Sequence, residues 1–264
     1  MSKLVEIAQH VFESEDEGNV HFVKEKKYND MLNDIEKHPH IYLLACLMDK
    51  QIKAERAWEI PCKVCEILGN YEIEFLASKP ESLYIDIFKK NKLHRFNEEE
   101  ARYFYKAIQK IVNQYDGDAS KIWKGCPSSA TVVYRFLEFE GIGIKIATMA
   151  ANILARQFKI KFSDYYSIDI SPDVHVRRIL KRLGYLSEKP STEQVIYKAR
   201  EINPEFPGLI DYSCWKIGRT YCHQKNPNCE DCPLKNECKT YITNKQNIIW
   251  WKSDFFINTK KYIE

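Results

Sequence analysis

Residues 222–238 read Cys-His-Gln-Lys-Asn-Pro-Asn-Cys-Glu-Asp-Cys-Pro-Leu-Lys-Asn-Glu-Cys, and this cysteine-rich stretch decides how the rest of the chain is interpreted. Two prolines, Pro227 and Pro233, bend the backbone so that the sulfur atoms can converge on one point. Such packing of thiols predicts a ligand set for a metal ion or a cluster. The four cysteines follow the spacing C-x6-C-x2-C-x5-C and are Cys222, Cys229, Cys232 and Cys238.

Two chemistries compete for these four thiols. Structural zinc sites usually pair their cysteines in two close halves, whereas here only Cys229 and Cys232 form a close pair. Four thiolates with one close pair suit a [4Fe-4S] cluster, which needs one sulfur at each iron. Disulfides are disfavoured because the chain has nine cysteines and its N-terminus has no secretory signal pattern. The spacing therefore favours the cluster, with zinc as the alternative.

The composition sets limits on the class of protein. The chain has 264 residues and 44% hydrophobic content, enough for one large domain or two small ones. No apolar run approaches the ~18 residues that span a bilayer, so we expect no membrane contact and a cytoplasmic protein, associated with the nucleoid in a prokaryote. The net charge is only +3, with 40 basic and 37 acidic residues. Any surface that binds nucleic acid must therefore be local.

The apolar periodicity predicts helices. The run 41–48 is apolar on nearly every side, which indicates a buried helix. Gln51 follows at the break after this run and, on this stretch alone, is an ordinary exposed polar residue. A second helix should begin at Asn97, with acids in its first turn, and end near Tyr115, where a turn signal follows.

Two further helices are predicted around the segment Phe139-Glu-Gly-Ile-Gly143, which joins them as a tight hairpin. Gly141 and Gly143 allow positive φ, and the amides that open the second helix can bind an anion such as a DNA phosphate. Lys145 lies in the first turn of that helix. The helix dipole disfavours a cation there, so a neutral amine is a candidate nucleophile. A solvated or phosphate-contacting lysine is the alternative.

The segment 171–184 predicts the next helix. Ser171 is the expected N-cap, with Pro172 at the first helical position and Asp173 in the first turn, and Gly184 is the expected stop. An acid in this place stabilises the helix dipole without any further role. The basic residues that follow, Arg177 among them, form either a local basic face or a solvated stripe.

Taken together, these parts resemble the helix-hairpin-helix DNA glycosylases of the endonuclease III type, over roughly residues 38 to 240. Phe139-Glu-Gly-Ile-Gly-Ile-Lys-Ile-Ala147 is similar to the family's L-P-G-V-G-x-K-T-A, and Asp173-Val-His-Val-Arg-Arg-Ile is similar to its V-D-T-H-V-x-R. The sequence departs from the pattern at Glu140, where the family has proline. The segment between Lys145 and Asp173 is also longer than in the family, which leaves Asp169 as an alternative acid.

The resemblance implies an all-α fold of two helical domains with a C-terminal iron-sulfur cluster loop. A six-helix module with the hairpin would span 38–157, and 1–37 plus 158–264 would form a discontinuous cluster module. DNA would lie in the groove between them. The resemblance also implies Lys145 and Asp173 as catalytic residues and a [4Fe-4S] cluster on the four cysteines. The implied DNA-binding residues are Gln51, which would fill the space of a flipped base, Gly141, Gly143, His175, Arg177, Arg178 and Lys225.

The implied function is a bifunctional DNA glycosylase and AP lyase that excises damaged bases, oxidised pyrimidines above all. It would act as a monomer on double-stranded DNA with a damaged base or an abasic site. An 8-oxoguanine-type enzyme, a non-catalytic DNA-binding protein and a zinc-ligated interaction module are the alternatives. An adenine-removing enzyme is disfavoured because that branch has a glutamate about one turn before Gln51, where this chain has Ala45-Cys-Leu47.

Overall fold

The computed structural model describes residues 2–14, 21–164 and 166–245. Within these ranges the chain forms twelve α-helices and two short 3-10 helices and contains no strand, which confirms the predicted all-α class. No described helix is both long enough and apolar enough to cross a membrane. The α-helices are α1 (Lys3–Ser14), α2 (Lys26–Asn33), α3 (Pro39–Met48), α4 (Ala54–Leu68), α5 (Ile73–Ala77), α6 (Glu81–Asn91), α7 (Asn97–Tyr115), α8 (Ser129–Leu137), α9 (Ile144–Arg156), α10 (Val174–Leu183), α11 (Thr192–Ile202) and α12 (Ile210–Thr220).

The chain divides into two compact units. The hairpin unit is Glu15–Ile168, and the cysteine unit combines Met1–Ser14 with Asp169–Glu264. These boundaries differ from those expected at 38 and 157. The first differs because α2 packs against α3 and α4. The second differs because the segment after α9 folds back, so that the amide of Ser163 donates to the carbonyl of Pro127.

The hairpin unit is built around α3, whose ten residues are all buried, as the apolar run predicts. Helices α4, α7 and α9 pack against it. The ring of Tyr42 contacts those of Trp58, Trp123 and Phe158, with centroids 5.9, 5.8 and 5.5 Å away. Its hydroxyl donates to the carbonyl of Ala150 at 2.8 Å, which links α3 to α9 and satisfies a buried polar group.

The predicted helical hairpin is formed by α8 and α9, which pack against each other. Ser128 caps α8, since its hydroxyl oxygen accepts the amide of Thr131 at 3.1 Å. Helix α7 ends as predicted at Tyr115, with the next residue, Asp116, at φ +50°. Local signals thus predicted where these helices start and stop.

In the cysteine unit, the N-terminal helix α1 and helix α10 both pack against α12. The prediction of Ser171 as the N-cap of α10 is wrong. Asp173 is the N-cap, and its carboxylate accepts the amide of Val176 at 2.7 Å. Ser171 instead lies buried, and its amide donates to Asp211 at 3.2 Å. The predicted stop is confirmed, since Gly184 ends the helix with φ +88°.

Candidate functional site

Lys145 lies in the first turn of α9, directly after the hairpin turn. Its side chain is 37% exposed, and its Nζ donates to the carboxylate of Asp49 at 3.0 Å and to the carbonyl of the same residue at 3.3 Å. The sulfur of Met149 is 3.9 Å from Nζ. The predicted nucleophile is therefore a half-buried, oriented amine rather than a solvated lysine.

Asp49, which no motif in the sequence marks, also belongs to the candidate site. It follows the last residue of α3 as its C-cap, and its amide bonds to the carbonyl of Cys46. Its side chain is only 13% exposed. The signal that could have found it is an acid placed directly after a fully apolar helix, where a cation must be nearby to balance a nearly buried carboxylate.

The neighbour of this acid, Lys50, anchors the same loop to α7. Its Nζ pairs with Glu100 at 2.7 Å, and the carboxylate of Glu100 is 3% exposed. Burial raises the pKa of Glu100, while the lysine lowers it. The ammonium also lies 4.6 Å from the centre of the Tyr103 ring. The loop after α3 is thus tied to α9 by Asp49 and to α7 by Lys50.

Gln51, the predicted DNA-inserting residue, is exposed at the tip of this doubly anchored loop. Its backbone has φ +52°, in the left-handed region that residues with a Cβ seldom adopt. Holding such a residue there costs about 1–2 kcal/mol, and the two ion pairs beside it constrain the loop. A strained, exposed polar residue on the loop that also carries Asp49 suits a group that contacts a ligand.

The two glycines of the hairpin turn have different roles. Gly141 has φ +88°, and a Cβ on it would lie 2.8 Å from the ring of Tyr103 and 3.0 Å from Nζ of Lys50. Gly143 has φ −101°, an ordinary value, and a Cβ there would meet no atom within 4 Å. The expectation of positive φ is therefore confirmed for Gly141 and wrong for Gly143, because Gly143 serves as the extended N-cap of α9.

The two candidate acids, Asp173 and Asp169, both lie in the cysteine unit but have different partners. Asp169 forms two hydrogen bonds with the guanidinium of Arg200, both at 2.7 Å. Asp173 uses one oxygen to cap α10. A carboxylate neutralised by a bidentate arginine is the poorer group for stabilising a new positive charge. This difference favours Asp173.

Three predicted DNA-binding residues of α10 make internal contacts. Arg177 donates to the carbonyls of Pro172 and Pro190 and to the hydroxyl of Thr192. Arg178 donates to the carbonyl of Gly218 and to Nδ1 of His175, at 3.0 and 2.8 Å.

The imidazole of His175 fits against Gly218, where a Cβ would lie 2.5 Å from Nδ1. Burial lowers the pKa of His175. The basic residues of this helix therefore do not simply face solvent. They hold the start of α10 to its neighbours.

The four cysteines of 222–238 are all half-buried. Burial raises the pKa values of Cys229 and Cys232, and the neighbouring thiols raise them further. A guanidinium nitrogen of Arg182 donates to the sulfur of Cys222 at 3.2 Å, and the thiol of Cys238 donates to the carbonyl of Arg182 at 3.4 Å.

The donor chemistry of these thiols fits a four-thiolate ligand set. Within the described ranges, however, no group of three or more His, Cys, Asp or Glu residues is arranged as a metal-ion site.

The structure places the predicted residues in two groups. Gln51, Gly141, Gly143 and Lys145 belong to the hairpin unit, where Asp49 and Lys50 join them. The cysteine unit holds the others, and Lys225 lies exposed in the loop between the first two cysteines. Those in the cysteine unit are Asp173, His175, Arg177, Arg178, Lys225, Cys222, Cys229, Cys232 and Cys238.

Comparison with known sequences gives relatives that include endonucleases III and adenine DNA glycosylases, although no protein-family profile matches the chain. The endonuclease III of Thermotoga maritima is 26% identical over 209 residues, which cover 79% of this chain and 86% of the relative. The endonuclease III homolog of Encephalitozoon cuniculi is 24% identical over 78% of this chain and 81% of the relative. An adenine DNA glycosylase of Buchnera aphidicola is 25% identical over 86% of this chain and 56% of the relative.

Solved structures share the fold. An endonuclease III bound to DNA in a trapped covalent intermediate superposes with a TM-score of 0.62 at 17% identity, over 93% of this chain and 99% of the other. A thermostable thymine-DNA glycosylase superposes with a TM-score of 0.57 at 14% identity, over 91% and 97%. The helical architecture of this chain is the one that these proteins have.

Proposed function

We propose that this chain is a helix-hairpin-helix DNA glycosylase of the endonuclease III type, a base-excision repair enzyme with both N-glycosylase and AP lyase activity. Its substrate is double-stranded DNA that carries a damaged base or an abasic site, and it acts as a monomer. Oxidised pyrimidines are the proposed lesions.

The observation that carries this proposal is the Lys145 amine. It lies at the start of α9, two residues past Gly143, with its Nζ oriented by two oxygen atoms of one residue. A DNA-binding hairpin needs glycines and helix-opening amides, but it does not need a half-buried amine with fixed acceptors. A lysine nucleophile does need such an amine, because the attacking nitrogen must be held in a defined position.

The chemistry follows from the charges. Breaking the N-glycosidic bond builds positive charge on the sugar, and the Asp173 carboxylate would stabilise it. Lys145, as the neutral amine, would attack C1′ as the base leaves with the electron pair of the broken bond. Opening of the sugar ring would then give a Schiff base, and β-elimination would break the strand on the 3′ side of the lesion.

The four cysteines would hold a [4Fe-4S] cluster with a structural role. Bound there, the cluster would tie together the ends of 222–238, so that the loop with exposed Lys225 keeps one shape and can meet a DNA phosphate. Arg182 would compensate part of the thiolate charge, since it already donates to the sulfur of Cys222. A purified protein with broad absorption near about 400 nm supports the cluster, and a colourless zinc protein contradicts it.

Two features of the chain bear on which base is removed: the residues of α3 before Gln51, and the pair of a lysine with an aspartate. Ala45, Cys46 and Leu47 are completely buried in α3, and no acid stands where the adenine-removing branch carries its glutamate. Adenine excision is therefore disfavoured, although an adenine DNA glycosylase is among the relatives. An 8-oxoguanine-type enzyme stays the second candidate, because a lysine with an aspartate can remove several kinds of base.

The proposal is tested by trapping. Wild-type protein is incubated with borohydride and a panel of duplexes, each with one oxidised pyrimidine, 8-oxoguanine or an abasic site. A covalent adduct that disappears in Lys145→Ala supports the lyase, and the lesion that traps fastest identifies the substrate. Absence of any adduct with wild-type protein contradicts the proposal and leaves the non-catalytic DNA-binding protein.

The acid is assigned by a second pair of variants. Asp173→Asn should abolish base removal and keep DNA binding, whereas Asp169→Asn should lose stability through its bond to Arg200 but keep base removal. Asn at 173 can still accept the amide of Val176, so that helix α10 keeps its cap. The opposite result in the two variants would make Asp169 the catalytic acid.

A further inference from the structure

We infer that Asp49 is the proton acceptor and counter-ion of Lys145 in the lyase reaction, an inference that rests on the proposed function. The two residues are 96 positions apart, and both belong to the hairpin unit. The carboxylate is 3.0 Å from Nζ, and the carbonyl of the same residue is 3.3 Å from it. Both atoms stand at the C-terminal end of α3, the negative pole of that helix.

This acceptor outweighs the local effect of α9. The first turn of α9 repels a cation with about half a charge spread over its amides, whereas Asp49 offers a full charge within hydrogen-bond distance. The amine is therefore held by the residue that caps α3. A lysine whose Nζ is hydrogen-bonded to another residue has one preferred direction. An attacking nitrogen requires such a fixed direction.

The acceptor is itself held in place before any substrate binds. Helix α3 is buried along its whole length, and the amide of Asp49 bonds to the carbonyl of Cys46 at 3.1 Å. On its other side, Lys50 is fixed by the buried carboxylate of Glu100. Asp49 thus projects from a rigid element, and its carboxylate does not need to be ordered during the reaction.

Two other titratable groups of the hairpin unit, Cys46 and Glu100, are poorer acceptors. Cys46 lies on the same helix, but burial raises the pKa of its thiol, which therefore stays protonated. Glu100 is engaged by Lys50. Asp49 has a carboxylate oxygen 3.0 Å from Nζ, so a proton from this ammonium can pass to it with little movement.

With Asp49 as the acceptor, every proton in the reaction of Lys145 with an abasic site is accounted for. The ammonium gives one proton to the carboxylate, and the lone pair of the amine forms a bond to the aldehyde carbon C1′. The oxygen of the resulting carbinolamine leaves as water with the proton held by Asp49 and one from the nitrogen. The product is a positively charged imine, which again faces a carboxylate. DNA that covers the site excludes water and lowers the cost of the first transfer.

The experiment compares wild type, Asp49→Asn and Asp49→Glu with Asp116→Asn as the matched control, since Asp116 also pairs with a lysine, Lys121, at 2.7 Å. Single-turnover cleavage of an abasic duplex gives the chemical rate, and binding to a tetrahydrofuran-site duplex gives Kd. We expect Asp49→Asn to cleave about 100-fold more slowly with Kd within twofold of wild type. Asp49→Glu should recover part of the rate, and the control should match wild type.

The two proposals fail in different ways. A wild-type protein that forms no borohydride adduct with an abasic duplex overturns the lyase function, and this inference with it. A wild type that traps, with Asp49→Asn cleaving as fast or faster, overturns the inference alone. Thermal unfolding of each variant identifies a merely structural ion pair, for which the melting temperature falls in Asp49→Asn while its chemical rate does not.

Discussion

The roles of the two glycines in the hairpin turn can be tested by adding one methyl group to each. Gly141→Ala should lower the free energy of unfolding by about 2 kcal/mol, because the residue has φ +88° and its new Cβ would press on the ring of Tyr103. Gly143→Ala should change it by less than about 0.5 kcal/mol, because its φ is ordinary and the space is open. Urea unfolding measures both.

The same two variants distinguish an effect on folding from an effect on DNA binding. Although Gly143→Ala should fold normally, it should weaken binding to an abasic duplex, because the methyl group would stand beside the amides proposed to meet a phosphate. Equal affinity of Gly143→Ala and wild type would contradict a phosphate contact at this turn.

A second prediction at this scale concerns His40, which is buried in α3. Burial lowers its pKa to about 4, and Nε2 donates to the carbonyl of Tyr71 at 2.9 Å, so the ring is neutral in the folded protein. The unfolded chain binds the proton near pH 6.5, so stability falls as the pH drops below that value, by about 2 kcal/mol between pH 7 and pH 5.

His40→Gln should remove this part of the pH dependence while keeping a donor for Tyr71. Unfolding free energies of both proteins at pH 7 and pH 5 provide the comparison. If the two proteins lose the same free energy over this interval, His40 is not the group that titrates.

At the scale of elements, the long segment between α9 and α10 has a structural role. Asp164 in this segment holds the start of α8, where it accepts the amide and the hydroxyl of Ser129 at 2.8 and 2.7 Å. This segment thus supports the start of the hairpin. Asp164→Ala should cost about 1–2 kcal/mol, because two donors of Ser129 lose their acceptor.

Asp164→Asn should cost less than Asp164→Ala, since an amide oxygen can still accept one of the two bonds. Ser163→Ala is the control, because that side chain is exposed and only its backbone amide bonds to Pro127. Urea unfolding that gives equal stability for Asp164→Ala and Ser163→Ala would contradict the capping role.

Four helices of the hairpin unit, α3, α7, α8 and α9, could be predicted from local sequence. The apolar run of α3, the acids that open α7 and the glycine turn before α9 each depend on residues close in the chain. The start of α10 was misplaced by two residues, because Ser171 and Asp173 are both good caps. Their assignment depends on Asp211, which binds the amide of Ser171 from 40 residues away.

At the scale of the whole molecule, Arg182 links α10 to the cysteine loop through the sulfur of Cys222 and the carbonyls of His223 and Gln224. Arg182→Met should therefore make the proposed cluster less stable. We expect the absorbance near about 400 nm to decay several-fold faster in air than in wild type.

Lys181→Met is the control, because Lys181 pairs with the exposed carboxylate of Glu188 and not with the loop. Equal decay of absorbance in both variants and wild type would show that Arg182 does not support the cysteines.

Residue types and short-range periodicity are enough to predict the helical class, the hairpin turn, the amine at Lys145 and the spacing of the four cysteines. The tertiary packing decides that Asp49 holds this amine, that Arg177 and Arg178 bond to the carbonyls of Pro190 and Gly218, and that Asp164 binds Ser129 at the start of α8. These contacts join residues 13 to 96 positions apart. Such pairs are set by which buried faces pack together, and helical periodicity gives the direction of a face but not its partner.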